Sequence, residues 1–414
     1  MKVFKFGGAS VRNANAIRQV VNIIKGYQGE NLLVVVSAMG KTTNAFERIA
    51  DHIHSGKDFA RDLQAIRSYH EVVLQELFPP GHHVWKKVAN EFDSLPVKVK
   101  TAMNYDTLYD QVVSIGEILS SIVVSEFLIL SGLPVQWADA RKYVATDSTY
   151  REGKVDWSST EKNIGNLKPI LDAKIILTQG FIGYSPEGLT TTLGREGSDY
   201  SAAIFAACLG ASSVTIWKDV PGVMNADPKR LAEAITFEEL PYREAAEMTY
   251  YGASVIHPKT IKPLANKNIP LLVKSFDDPS LPGTIIHEIK VEHLPPLIVF
   301  KDNQCLVSCR VTDYTFIHEQ QLSFIFNALS ELNIKINLMQ NSAISFSFCI
   351  DFREDQVLKL IDLLARQFEV YYNTGLTLIT VKNYDAQTFE AYRKKAGVIL
   401  EQSSRSTLQV LLKH

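Results

Sequence analysis

Apolar positions along the chain follow two alternating rhythms. "LLVVVSA" (Leu32 to Ala38) is a continuous apolar run, as expected of a strand covered on both faces. Val3, Phe4 and Phe6 form a shorter run at the start, and "PVQWADA", "KIILTQG", "SVTIWKDV" and "PLLVKSF" repeat the theme. Between these runs the spacing lengthens: Ile17, Val20, Val21 and Ile24 share one helical face. Strand and helix alternating in this way predict an α/β layered domain with a mostly parallel sheet. Ligands of such sheets bind beyond the carboxyl ends of the strands. There the sequence places Gly7-Gly8, Ser37-Ala38, Gly180 and Asp219. Residues 57–131 read as a mainly helical insertion.

The rhythm changes at "HEIKVEHLPPLIVF", where Pro295 and Pro296 mark a boundary. Beyond it come strand (Cys305 to Val311), helix (Leu322 to Leu332), strand (Lys335 to Met339), strand (Ile344 to Ile350), helix (Gln356 to Ala365) and strand (Phe368 to Tyr372). That β-α-β-β-α-β order is a ferredoxin-like unit. A second copy starts with a strand (Leu376 to Val381), a helix (Gln387 to Lys395), a short strand near Val398 and a strand from Thr407 to Leu412. It stops at His414 without its final helix and strand, and the segment before the first copy is the available source of the missing piece. The expected division is 1–290, 300–375 and 376–414.

Composition narrows the function classes. Of 414 residues, 46% are hydrophobic and 21% charged, which is ordinary for a soluble globular protein. A formal net charge of −2 leaves no electrostatic footprint for nucleic acid. Cys208, Cys305, Cys309 and Cys349 lie in apolar runs, and no histidine or cysteine pair completes a metal site around them. Reduced core cysteines point to a reducing compartment. No apolar run approaches membrane-spanning length, and the first residues read as a folded strand rather than a leader. The expectation is a cytoplasmic protein without membrane or nucleic-acid partners.

Three loops carry candidate chemistry. In "MKVFKFGGAS", Lys5 places an ammonium inside an apolar strand, and Gly7-Gly8 follow. The glycines read either as a tight turn needing positive φ or as a phosphate cradle at a helix start. In "TTTLGREGSDYSAA", Gly194 and Gly197 flank Arg195 and Glu196, and Ser198-Asp199 open an apolar helix. An N-cap accounts for Ser198 and Asp199 but not for Arg195, which is either a solvated loop residue or a guanidinium placed to grip a carboxylate. In "IWKDVPGVMNADPK", Asp219 ends a strand and Pro221-Gly222 makes a turn, serving a plain connection or a purine and ribose pocket. His257 in "TYYGASVIHPKT" reads as structural, since no serine or cysteine nucleophile accompanies it. A Walker A motif is absent.

Seven stretches occur in order over residues 1–286 and resemble aspartate kinase: "KFGGAS", "VVSAMGKTTN", Gly116-Glu117, "TTTLGREGSDYSAA", "WKDVPGVMNADPK", "EMTYYGASVIHPKT" and "SFDDPSLPGTII". The C-terminal repeat resembles the paired ACT domains of that family. The resemblance implies a three-layer, carbamate-kinase-like amino-acid-kinase domain followed by ACT units. It implies ATP-dependent phosphorylation of the aspartate side-chain carboxylate to 4-phospho-L-aspartate, the first step toward lysine, threonine and methionine, with feedback through the ACT units. That chemistry suits the residues. A carboxylate of free pKa about 3.9 is already ionised at neutral pH and needs no general base, so positioning and charge neutralisation do the work.

By this resemblance Lys5 and Asp199 are catalytic. Ser37, Thr43, Glu117, Arg195 and Ser198 bind aspartate. Lys5, Gly7, Gly8, Lys218, Asp219, Val223, Met224, Lys229 and Ser254 bind ATP. Magnesium accompanies the nucleotide without a protein ligand. A homodimer forms through residues 301–414, and an effector binds near Asn337, Met339 and Ser342. The family has GRGGSD where this chain carries Glu196, a frequent threonine at Lys218, a frequent tyrosine at Met224 and a nucleotide-contacting lysine at Ser254, for which Lys218 or Lys259 are the available substitutes. The competing readings are another amino-acid kinase of the same fold and a non-catalytic amino-acid-binding regulator. No fused homoserine dehydrogenase is expected.

Overall fold

The computed structural model describes residues 1–253, 256–291, 293–312 and 316–413. It divides the chain into two compact units: Met1–Val223 with Thr236–Ala246 and Val255–Lys290, and Met224–Ile235 with Glu247–Ser254 and Val291–His414.

In the first unit the apolar runs become the strands of an eight-stranded sheet: β1 (Lys2–Phe6), β2 (Leu32–Val36), β3 (Val135–Ala138), β4 (Ile175–Gln179), β7 (Ser213–Lys218), β8 (Glu239–Pro241), β9 (Leu271–Ser275) and β10 (Thr284–His287). A small hairpin, β5 (Ile182–Tyr184) with β6 (Thr190–Thr192), stands apart from it. The strand order is β3-β4-β2-β1-β7-β9-β10-β8, and only the β9–β10 pair is antiparallel. All five residues of β2 are buried, which is why its sequence is unbroken valine and leucine rather than alternating. β1 lies between β2 and β7, with Lys5 level with Val35 and Ile216. Phe4 and Phe6 pack on Trp217, the Phe6 and Trp217 rings stacking at 6.0 Å. This aromatic cluster stiffens the two central strands whose ends carry Lys5 and Lys218.

Residues 60–130 are helical: Ala60–Leu77, Val84–Asp93, Leu95–Thr101 and Tyr105–Leu130. The last begins at a reciprocal cap between Asn104 and Thr107. By length and composition it could cross a membrane, against the expectation that no run approaches that length, but 83% of its most apolar window is buried inside the unit. Asp110 and Glu117 punctuate the apolar positions and obscure the run in the sequence. Val112, Leu119 and Val123 join Phe4, Val34 and Leu177 in one core.

The second unit is a six-stranded antiparallel sheet of order β12-β13-β11-β14-β16-β15: β11 (Leu297–Arg310), β12 (Ile336–Asn341), β13 (Ser345–Asp351), β14 (Glu369–Lys382), β15 (Val398–Ser403) and β16 (Thr407–Lys413). Two strands expected as separate, Phe368 to Tyr372 and Leu376 to Val381, are one strand, β14. Gly375 at φ +70° reads as a turn in sequence, yet it sits where β11 and β14 shift register around Lys301–Gln304. The early part of β11, Leu297 to Lys301, pairs with Leu378 to Lys382 and so supplies the second half with its extra strand.

A loop within Met224–Ile235 packs on that half. Ala226, Leu231 and Ala234 pack with Ile298, Ile379, Val381, Leu408 and Val410. Asn225 fastens the loop: its carbonyl accepts from Ile298 N–H at 2.7 Å, and its side chain donates to the Pro296 carbonyl. A carboxylate placed in this cluster would be buried without a partner, a cost of about 2–4 kcal/mol. Ala226→Asp is therefore expected to lower the calorimetric unfolding midpoint of the second unit by several degrees, whereas an unchanged midpoint would mean that the loop is not part of this core.

Candidate active site

A lysine in the last-but-one position of a buried strand must find an anion, because an isolated ammonium loses its hydration there. Lys5 Nζ lies 2.6 Å from Asp199 Oδ1, and the two side chains are 11% and 4% exposed. Asp199 is in the first turn of the helix Gly197–Leu209, where the helix dipole favours a carboxylate. A second ammonium, Lys218 Nζ at the end of β7, stands 3.9 Å from the other oxygen, Asp199 Oδ2.

The two glycines after β1 serve close approach, not a left-handed turn. Gly7 has φ −73°, and Gly8 is not among the residues of positive φ. A Cβ on Gly8 would sit 2.8 Å from the Ala38 carbonyl oxygen and 2.9 Å from that of Gly40. Gly8 thus lets the chain after β1 lie against the loop after β2, where the Gly40 N–H donates to the Gly8 carbonyl. A Cβ on Gly7 would sit 3.4 Å from Lys5 Nζ. Its absence leaves the approach to the ammonium open.

Glu117 enters the same region from the helix Tyr105–Leu130. It is buried, accepts from the Ala38 N–H and lies within electrostatic reach of Lys5. Its Oε2 has no hydrogen-bond partner among the described residues. Burial pushes its carboxyl up to about 8, against the lowering effects of the Ala38 N–H and Lys5. Burial therefore favours the protonated form of Glu117 at neutral pH.

The remaining expected residues divide. Ser37, whose N–H donates to the Phe6 carbonyl, and Thr43, in the first turn of the helix Thr42–His54, are half-buried on the β2 side. Ser198 abuts Gly180, where a Cβ would meet the serine Cβ at 2.5 Å. Arg195 is exposed on the turn before the helix and makes no ion pair among the described residues. Glu196, the residue that departs from the family pattern, has φ +53° and turns toward the His257 N–H, from which its Oε2 accepts at 2.9 Å. Asp219 is exposed. Val223 is buried with its N–H donated to Thr284 Oγ1, which leaves backbone and side chain spent on the fold. Met224 and Lys229 belong to the second unit, and Ser254 lies outside the described residues. In the second unit Asn337 is taken up by Lys301, Gln304 and Asp351, while Met339 is half exposed and Ser342 closes the turn to Ser345.

One residue of consequence escaped the sequence reading. Asp110, buried, accepts from the Thr192 N–H and hydroxyl and from the Arg151 N–H, and so holds the strand that leads into Gly194-Arg195. Burial raises its carboxyl to about 6. Its signal was present: it lies seven residues before Glu117 on the same helix, hence on the same face.

A mostly parallel sheet with an ammonium–carboxylate pair and close-packed glycines at its carboxyl edge fits an enzyme that handles phosphate on a small molecule. The sequence profile of the amino acid kinase family matches residues 1–275. Lysine-sensitive aspartokinase 3 of Escherichia coli is 34% identical over 356 residues, 84% of this chain and 78% of that one. The crystal structure of E. coli aspartokinase III with aspartate and ADP superposes with a TM-score of 0.83 at 30% identity, covering 100% of this chain and 96% of that one. The same enzyme with lysine and aspartate gives 0.83 at 28%. A bifunctional aspartokinase/homoserine dehydrogenase of Arabidopsis thaliana is 30% identical over 388 residues, of which this chain spans 42% of the length. The chain belongs to the amino acid kinase family and, within it, to the aspartokinases.

The raised carboxyl of Glu117 carries a sign that can be measured. Its folded value, about 8, lies above the ordinary 4.5, so between these values the folded protein holds a proton that the unfolded chain has lost. The stabilising contribution is complete below about pH 4.5 and is lost as pH rises toward 8. Glu117→Gln removes this dependence. The stability of the parent relative to Glu117→Gln is expected to fall between pH 5 and 8 in denaturant titrations, and a difference that rises or stays flat would contradict a protonated Glu117.

Proposed function

We propose that the chain transfers the γ-phosphoryl group of ATP to the side-chain carboxylate of L-aspartate, forming 4-phospho-L-aspartate and ADP. The observation that carries this reading is that one end of one sheet holds both halves of the required recognition. Lys5, paired with Asp199, suits the transferring phosphoryl group. Glu117, buried with one oxygen unpartnered, suits a substrate ammonium. A bond forms between a carboxylate oxygen and the γ-phosphorus. The bond from that phosphorus to the β–γ bridging oxygen breaks, and its electron pair leaves with ADP. The nucleophile arrives ionised, so no protein base is called for. Arg195, exposed on its turn, suits a substrate carboxylate by its planar fork.

Magnesium enters as part of the MgATP substrate. Asp199, one of two buried carboxyl groups at this end with Glu117, already faces two ammonium groups, and Glu117 is given to the substrate ammonium, so no protein ligand is assigned to the ion. We place the enzyme in a reducing compartment, the cytoplasm, in keeping with four buried cysteines that form no disulfide. Two copies pair through the second unit. The support is that Phe326, Met339, Tyr371 and Ile399 are exposed there, and that β12 and β15 each end the sheet. Lysine is the effector to test first, because the E. coli relative is lysine-sensitive.

The direct assay is ATP, magnesium and aspartate with hydroxylamine as trap. Aspartyl hydroxamate is expected with aspartate and not with glutamate; product with glutamate alone would overturn the substrate. In the same assay Lys5→Ala is expected to lower kcat by about 10²–10³, with a circular dichroism spectrum like the parent's. Because Glu117 must release its proton before it can face an ammonium, the aspartate KM is expected to fall as pH rises from 7 toward 8. Glu117→Gln should abolish that trend. A pH-independent KM in the parent would remove Glu117 from the ammonium site. Arg195→Lys is expected to raise the aspartate KM well beyond any change in the ATP KM, and equal changes would dissociate Arg195 from aspartate.

A further inference from the structure

We propose that Asp110 is a positioning residue for aspartate binding: through the strand Thr190–Thr192 it fixes the turn that carries Arg195. The inference rests on the reading of Arg195 as the group that takes a substrate carboxylate, and it names what holds that group in place.

The path runs from one helix to one turn. β6 pairs with β5 along one edge, and the eight-stranded sheet does not include it. Backbone groups on its other edge are buried and need partners of another kind, because an unpaired buried N–H or C=O is costly. The helix Tyr105–Leu130 supplies them from two consecutive side chains. Gln111 donates to the Thr190 carbonyl at 2.8 Å and accepts from the Thr190 N–H at 3.4 Å. Asp110 Oδ2 accepts from the Thr192 N–H at 2.8 Å, and its Oδ1 accepts from the Thr192 hydroxyl at 2.7 Å. All four residues are buried.

The same carboxylate reaches a second segment. Asp110 Oδ2 also accepts from the Arg151 N–H at 3.0 Å. Arg151 is at φ +67°, in the left-handed region that a non-glycine residue occupies only where its surroundings hold it. Two residues on, the Gly153 N–H donates to the Thr192 carbonyl at 2.8 Å. Between them Glu152 lies against Gly194, where a Cβ would sit 3.1 Å from Glu152 Cγ. The Gly194 carbonyl then accepts from the Gly197 N–H at 3.0 Å and closes the turn around Arg195. The backbone on both sides of Arg195 is thereby fixed, and one carboxylate ties together the two segments that fix it.

The chemistry of the anchor suits this duty. An ionised carboxylate only accepts hydrogen bonds, and here it meets donors: two N–H groups and a hydroxyl. Glu117 stands seven residues further along the same helix, hence on the same face. One helix therefore carries both the group suited to the substrate ammonium and the anchor of the turn suited to its carboxylate. Both act on the head of the amino acid, the part that does not react. Loosening that grip weakens the ground state and the transition state alike, so it raises KM and spares kcat.

The test is steady-state kinetics of the full-length protein with hydroxylamine trapping. Asp110→Ala is expected to raise the aspartate KM by about tenfold or more, with kcat and the ATP KM within about threefold of the parent's. Asp110→Asn keeps an oxygen for the two N–H groups and is expected to recover most of the loss. A double-mutant cycle with Arg195→Lys separates positioning from packing. If Asp110 acts through Arg195, the two effects on the aspartate KM are less than additive. Thr192→Val removes the hydroxyl bond alone and stands in where Asp110→Ala does not fold; its expected rise in aspartate KM is about two- to fivefold. A parent-like aspartate KM in folded Asp110→Ala, or in Thr192→Val where the alanine variant is unfolded, would overturn the proposal. So would a loss shared equally by kcat and the ATP KM, or full additivity with Arg195→Lys. An unchanged aspartate KM in Arg195→Lys, or a parent protein that makes no aspartyl phosphate, would instead overturn the reading on which it rests.

Discussion

The structure depends on an ammonium buried at the end of a strand. Lys5 cannot be accommodated between Val35 and Ile216 unless a carboxylate reaches it. Asp199 does so only because the helix Gly197–Leu209 begins above that strand end. Removing Asp199 takes from the sheltered Lys5 ammonium the carboxylate that pairs with it, a loss of about 3–5 kcal/mol. The surrounding order follows from that pair. Gly8 brings the loop after β2 against the loop after β1, the same loop offers its Ala38 N–H to Glu117, and Glu117 thereby joins the lysine. Stability and chemistry share one interaction here.

Much of the first unit was legible because its central strands β1, β2, β4 and β7 are buried on both faces and carry largely apolar runs. The two glycines were harder. Sequence suggested positive φ as one reason for them, and the structure gives another, namely the carbonyls of Ala38 and Gly40 for Gly8 and the ammonium of Lys5 for Gly7. At Gly8 the close approach joins segments about thirty residues apart, and such a contact leaves no local trace. The membrane-length helix was missed because its few carboxylates look like interruptions, while in the fold they face polar partners. β14 was split in two because Asn373-Thr374-Gly375 has turn composition, whereas the pairing with β11 carries the strand through. Lys5, Asp199, Glu117 and Lys218 were all named from motifs, but that one carboxylate stands between two ammonium groups is a fact of register between β1 and β7, and no motif contains it.

Glu196 shows how a departure from a family pattern is absorbed. A carboxylate beside a phosphate site would oppose the substrate, and here it is turned away by a left-handed backbone and bound to the His257 N–H. In the second unit a loop of the Met224–Ile235 segment covers part of the sheet with Ala226, Leu231 and Ala234. A segment expected near ATP by resemblance thus takes part in the core of the second unit.

The central claim is that the side-chain carboxylate of aspartate attacks the γ-phosphorus directly, with Lys5 and its partners stabilising the transferred group. Aspartate labelled with ¹⁸O in that carboxylate, incubated with enzyme and MgATP and trapped with hydroxylamine, gives inorganic phosphate whose isotope content can be read by mass spectrometry. Attack of hydroxylamine at the acyl carbon expels the bridging oxygen with the phosphate. The account predicts one ¹⁸O in each phosphate released, and unlabelled phosphate formed at the rate of ATP consumption would contradict it.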